Sequence, residues 1–233
     1  MPCIQLTEQD QDDLEQKINS KPKKNISPDE IISAINNGAE VHCDGWDTVT
    51  PPWDVLPSEY IRFAQKDIEG FDKRSIVNAL SNAKRALECQ IDSLMLAMGL
   101  RSIAKRLNVP KKLELLNDIS VIAPPILRKI NKHRNEMEHA YTCPDHGLIM
   151  DFVDIVSLFL EATKGHIQDR ACEWIVDIPK SGSVVVIRKE DGLLITKDFR
   201  SGFAREGLEI NPGSGHHLAL LGAIMRVESA DEP

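Results

Sequence analysis

The sequence predicts a mainly α chain with an appended β region, an α+β molecule in which a helical bundle precedes a small antiparallel sheet. Three features of the 233-residue chain point that way. A proline-free stretch from Asp72 to Met98 repeats apolar residues at helical spacing. Residues 126–167 spell a second pair of helices around the tight link Cys143-Pro144-Asp145-His146-Gly147. After Asp169 the chain turns to short Val/Ile-rich runs separated by Gly, Pro and Asp.

Taken in order, residues 1–57 read as a polar extension with one short helix and a Pro/Trp-rich segment. Ser27-Pro28-Asp29-Glu30 is a helix start, with Ser27 as cap and Glu30 closing a capping box. The helix it opens ends near Asn36-Asn37-Gly38. Pro51, Pro52 and Pro57 forbid a long regular element over 38–58, where Trp46 and Trp53 would pin the segment onto the helical body. Residues 58–169 form the predicted bundle. Ser58–Glu69 is its first helix. The long helix Asp72–Met98 follows, with Ile76, Leu80, Ala83, Leu87, Ile91, Leu94 and Met98 on one stripe and Gly99 as its stop. Shorter helices cover 102–107 and 111–119, then Ile126–Tyr141 and His146–Ile167. The last of these turns Leu148, Phe152, Ile155 or Val156, Phe159 and Ala162 inward. Residues 170–233 form the β region: strands at 173–178, 183–188 and 193–197, with further strands at 207–210 and 217–227.

The formal charge is −8, which disfavours nonspecific wrapping of nucleic acid. It is unevenly spread. Arg101 to Arg134 holds nine basic and two acidic residues, so this segment is +7 and the remainder −15. Five scattered cysteines without a CxxC pair predict reduced thiols rather than a disulfide framework or zinc site. The N-terminus lacks the basic start and apolar run of a signal peptide, and no stretch is long and apolar enough for a membrane span. We expect a cytoplasmic protein. There is no phosphate-binding GxxxxGK[ST] loop, no HExxH and no dinucleotide fingerprint, and neither His146 nor His216-His217 has metal-site neighbours, so neither metal nor cofactor is expected.

The polar cluster Arg134-Asn135-Glu136-Met137-Glu138-His139-Ala140-Tyr141 is the functional lead. Ile126, Ile130, Met137 and Tyr141 make the inward stripe of its helix, and Arg134 falls in the middle of it. A guanidinium there either meets a carboxylate or lines a wet cleft. Glu88 and Asp92, one turn apart on the long helix, are the candidate partners. His139 lies about 140° around the helix from Arg134, so a site using both needs a second surface. Asn135 and His139 share a face.

Arg134, four residues, His139, one residue and Tyr141 together resemble the signature of the HEPN superfamily (higher eukaryotes and prokaryotes nucleotide-binding domain), in the form seen in toxins paired with nucleotidyltransferase antitoxins. The resemblance covers about residues 70–168. It implies a four- or five-helix up-down bundle that forms a homodimer, with motifs from two chains meeting in one cleft. Many members are metal-independent ribonucleases, in toxin–antitoxin or phage-defence settings. Others are binding or scaffold modules. On this reading His139 is acid or base, Arg134 clamps phosphate, and Asn135 orients His139 or binds a phosphate oxygen. Tyr141 packs, donates a hydrogen bond or is nucleotidylated by the antitoxin. Lys111, Lys112, Lys129 and Lys132 would hold the RNA backbone, and single-stranded or looped RNA would be the substrate.

Overall fold

A computed structural model describes residues 27–121, 143, 145–168, 170–179, 181–196 and 207–230. It shows a mainly α chain, with seven α-helices among the described residues, joined to a small antiparallel sheet. None of the described helices is long and apolar enough to cross a membrane.

Helix α1 (Pro28–Asn36) starts with the expected capping box. Ser27 Oγ accepts the Glu30 N–H at 3.3 Å, and Glu30 Oε2 accepts the Ser27 N–H at 2.9 Å. Strand β1 (Val41–Asp47) follows, inside the segment expected to lack a long regular element. The prolines begin only at Pro51, so none interrupts 41–47, and the strand absorbs Gly45 through a shift in register against β2. Trp53 does pin the Pro-rich run to the helical body, its Nε1 donating to Ser93 Oγ at 3.0 Å. Trp46 instead lies in β1, opposite Ala171.

Helices α2 (Pro57–Ile68), α3 (Lys73–Ala97) and α6 (His146–Thr163) pack on one another. Asp72 caps α3, its Oδ1 accepting the Arg74 and Ser75 N–H groups at 2.9 and 3.2 Å. Every residue of the predicted stripe from Ile76 to Met98 is buried. The helix ends in a Schellman turn. Leu100 N–H returns to the Met95 carbonyl at 2.9 Å and Gly99 N–H to Leu96 at 3.1 Å, with Gly99 at φ +67°. Buried Gln90 donates to Thr163 Oγ1 at 2.8 Å and ties α3 to α6. In α6 the inward set is Ile149, Phe152, Val153, Val156, Phe159, Leu160 and Thr163. Leu148 and Ala162, expected inside, are exposed. The first turns of α6 are apolar nearly all round, which leaves the stripe's phase ambiguous by one residue. Short α4 (Arg101–Ala104) and α5 (Val109–Asp118) pack against α3.

The sheet runs β1-β2-β3-β4-β5, with β2 Arg170–Ile178, β3 Gly182–Arg188, β4 Leu193–Thr196 and β5 Leu208–Ile210. Every neighbouring pair is antiparallel. Its first strand therefore comes from the N-terminal segment, and the helices between β1 and β2 sit in the connection. One sheet face, with Trp174, Val176, Val184, Val186, Leu193 and Ile195, belongs to the main core. Ile175 and Val185 on the other face form a small cluster with Ile187. Residues 217–227, expected as a strand, lie in helix α7 (Gly215–Ala230). Leu, Ala and Met favour a helix there, and eleven residues exceed a usual strand. Helix α7 packs against α1, and α1 also touches β2.

The β3–β4 turn hooks back onto the end of α3. Gly192 N–H donates to the Gly99 carbonyl at 2.8 Å, and Asp191 Oδ1 accepts the Ser102 N–H at 2.6 Å. Bundle and sheet thus share one apolar cluster running from α3 to α7.

Candidate functional site

Of the residues singled out in sequence, Arg134, Asn135, His139, Tyr141, Lys129 and Lys132 lie outside the described residues. The other four sit on α3 and α5. Asn108 caps α5, accepting the Lys111 N–H at 3.1 Å, which sets the phase of the lysines that follow. Lys111 is exposed. Lys112 turns toward α3 and pairs with Asp92, Nζ to Oδ1 2.5 Å, with its side chain only 12% exposed. One expected RNA-holding lysine is thus joined to an expected carboxylate partner of Arg134. Glu88 is half-buried, one turn before Asp92.

The structure also assembles a charged cluster where sequence reasoning placed none. Arg170, at the start of β2, is buried on the core face of the sheet. Its terminal nitrogens face thioethers, Nη1 to Met98 Sδ at 2.8 Å and Nη2 to Met225 Sδ at 3.1 Å. Thioethers are weak acceptors, and Arg170 Nε has no hydrogen-bond partner. Burial pulls its pKa down to about 10. Glu228 opposes that shift and the like charge of Arg188 adds to it. Arg188 ends β3 with its side chain 4% exposed, Nη2 3.8 Å from Asp47 Oδ2. Its Nε and Nη2 also lack hydrogen bonds, and burial lowers its pKa. Glu228 of α7 accepts the Trp174 indole N–H at 2.7 Å and the Cys43 thiol at 3.5 Å.

Both guanidinium groups stay charged at neutral pH and cannot shuttle protons. Their chemistry is that of fixed cations under a helix, balanced by Glu228 and Asp47. The signal in sequence is the pleat itself. Arg170 shares a period of two with Cys172, Trp174 and Val176, and Arg188 with Val184 and Val186. A charge continuing an apolar face marks a buried charge, but the residue pattern alone starts the strand at Glu173.

His217 is, after Arg170 and Arg188, the third side chain among the described residues with a buried polar atom that lacks a hydrogen bond. Its Nδ1 accepts the Gly213 N–H at 2.8 Å, and its Nε2 has no hydrogen-bond partner. Burial drives its pKa down to about 4, against opposite pulls from the Met98 carbonyl and Asp191. It is neutral near pH 7 and serves as an acceptor that shapes the turn into α7.

Comparison of the chain with protein-family models, with curated proteins and with solved structures gives no match.

Proposed function

We propose that this chain is a cytoplasmic, metal-independent endoribonuclease of HEPN type, acting as a homodimer. The observation that carries the reading is the motif Arg134, four residues, His139, one residue, Tyr141. The mutual packing of α3 and α6, which flank that motif in sequence, supports it with the frame of a bundle. In the proposed step one His139 takes the proton from a ribose 2′-hydroxyl. The 2′-oxygen bonds to phosphorus, the bond from phosphorus to the 5′-oxygen breaks, and the opposed His139 protonates that oxygen. Arg134 neutralises the extra charge on phosphorus in the transition state. Asn135 orients the imidazole. Lys111, Lys129 and Lys132 hold the backbone of a single-stranded or looped RNA. A nucleotidyltransferase acting on Tyr141 would be the partner that silences the site.

A second reading, a non-catalytic nucleotide- or protein-binding module on the same bundle, is favoured by the Lys112–Asp92 pair. That pair takes one of the expected RNA-holding lysines into the interior. The two readings part in one experiment. The purified chain is incubated with total RNA in excess chelator, beside Arg134→Ala and His139→Ala variants checked for fold by circular dichroism. Cleavage leaving 2′,3′-cyclic phosphate ends, lost in both folded variants, is the expected result. Wild-type protein that binds RNA or nucleotide and cleaves none would overturn the nuclease and leave the binding module.

A further inference from the structure

The sheet face opposite the main core carries a different chemistry. Glu40 directly precedes β1 and His42 is its second residue, so on an extended chain the two side chains share a face. Asp177 of β2 stands beside Glu40, its N–H donating to the Glu40 carbonyl at 3.0 Å. The pairs Val41 with Val176 and His42 with Ile175 set that register. One imidazole and two carboxylates therefore meet. A ligand atom from each lies within 4.8 Å of the other two, and no other such group occurs among the described residues.

The spacing suits a metal ion. His42 Nε2 and Glu40 Oε2 are 3.4 Å apart. Two donors about 2.0–2.1 Å from a tetrahedral zinc ion are about 3.3–3.4 Å apart, so one edge of the tetrahedron is already set. The Ser183 hydroxyl donates to Asp177 Oδ1, which orients the carboxylate and leaves Oδ2 to bind. Outer-shell bonds of this kind hold metal-bound carboxylates in place. Beside the group on the same face, Ile175 and Val185 are fully buried and form an apolar flank. All three donors sit on or next to paired strands rather than on a free loop, which limits the reorganisation that binding requires.

We propose that Glu40, His42 and Asp177 bind a divalent transition-metal ion of the zinc class. One nitrogen and two oxygen donors, with no thiolate, suit zinc or cobalt, and the two carboxylates neutralise the dication. The ion fastens edge strand β1 to β2 and so closes the long connection between them. It is separate from the nuclease reading, and chelator removes it without affecting RNA cleavage.

The test uses the full chain, stripped with chelator and dialysed. Cobalt(II) is titrated while its visible d–d bands are followed, and zinc(II) is titrated by calorimetry. We expect one ion per chain, a d–d spectrum without a thiolate-to-cobalt charge-transfer band, and a zinc-dependent rise in melting temperature. His42→Ala and Asp177→Asn should each weaken binding at least about tenfold. His216→Ala, which breaks a two-membered pair with Asp29 on α1, should leave affinity unchanged. Absence of binding in the wild type, binding that survives both site variants, or binding wholly through thiolate would each overturn the assignment.

Discussion

Buried His217 makes the fold acid-sensitive over a window that its environment defines. An unfolded histidine titrates near its ordinary 6.5, whereas burial brings the folded one down to about 4. Between those values the unfolded chain takes up a proton that the folded chain refuses. Unfolding is therefore favoured as pH falls from about 6.5, and the loss is complete only below about 4. Each pH unit separating the two values is worth about 1.4 kcal/mol, so the full loss is on the order of 3 kcal/mol, with about 2 kcal/mol of it expected between pH 7 and pH 5. That is a substantial share of the roughly 5–15 kcal/mol by which a domain is usually stable. The perturbation is His217→Asn, which keeps an acceptor near the Gly213 N–H but does not titrate. The assay is urea unfolding followed by circular dichroism at several pH values from 7.5 to 4.5. Exposed carboxylates such as Asp72 and Glu209, whose pKa values are lowered by Ser75 and Lys189, contribute equally to both proteins and cancel in the difference. The wild type should lose stability more steeply than the variant. Stability curves that run parallel through this window would show that His217 does not bear the linkage.

Two further variants probe the same core. Arg170→Met made together with Glu228→Gln replaces a charge facing thioethers and its counter-charge by neutral side chains of similar length, and the chain should be equally stable or more stable to urea, by up to about 2 kcal/mol. A loss above about 3 kcal/mol would mean that the guanidinium makes a contact worth more than its desolvation. Gly192→Ala places a Cβ 2.2 Å from the Ile210 carbonyl at φ +89°, and should cost about 2 kcal/mol or more by the same assay. A neutral result would show that the β3–β4 turn relaxes freely.

What could be read in the sequence follows from how many signals agreed locally. In α3 the stripe and the Gly99 stop point one way, and the helix lies within one residue of where they place it at each end, with Asp72 as its cap. Strands β2 to β4 were legible because Pro179-Lys180-Ser181-Gly182 and Glu190-Asp191-Gly192 bracket Val/Ile-rich runs. Helix α7 was not legible. Leu220, Leu221, Ala223, Ile224 and Met225 are all buried, so the segment shows neither alternation nor a stripe. Its cap was the better signal, since Ser214 Oγ accepts the His217 N–H at 3.2 Å. The Glu40, His42 and Asp177 group lay beyond local reading altogether, because Asp177 joins the other two only through the β1–β2 register. The buried arginines were half legible, as charges at the inward beat of strands that extend further than their Val/Ile-rich centres suggest.

The pairing of β1 with β2 changes what the helices are. In space these strands are neighbours, but in sequence residues 48–169 separate them, so the helices α2 to α6 form a single long excursion from the sheet. Closing such a connection costs entropy that grows only with the logarithm of its length, and contacts across its base must offset that cost. Those contacts are specific. Glu228 reaches from α7 to Trp174 of β2 and Cys43 of β1, and Asp47 of β1 faces Arg188 of β3. The charged groups that destabilise the interior when counted singly lie at the junction of β1, β2, β3 and α7, the place where a wrong strand pairing would leave two guanidinium groups facing apolar side chains alone. An ion held by Glu40, His42 and Asp177 would act on the same junction from the opposite face. The N-terminal segment is therefore better viewed as the keystone strand of the sheet than as an extension of the bundle, and its removal would expose the β2 edge and orphan Arg188 together.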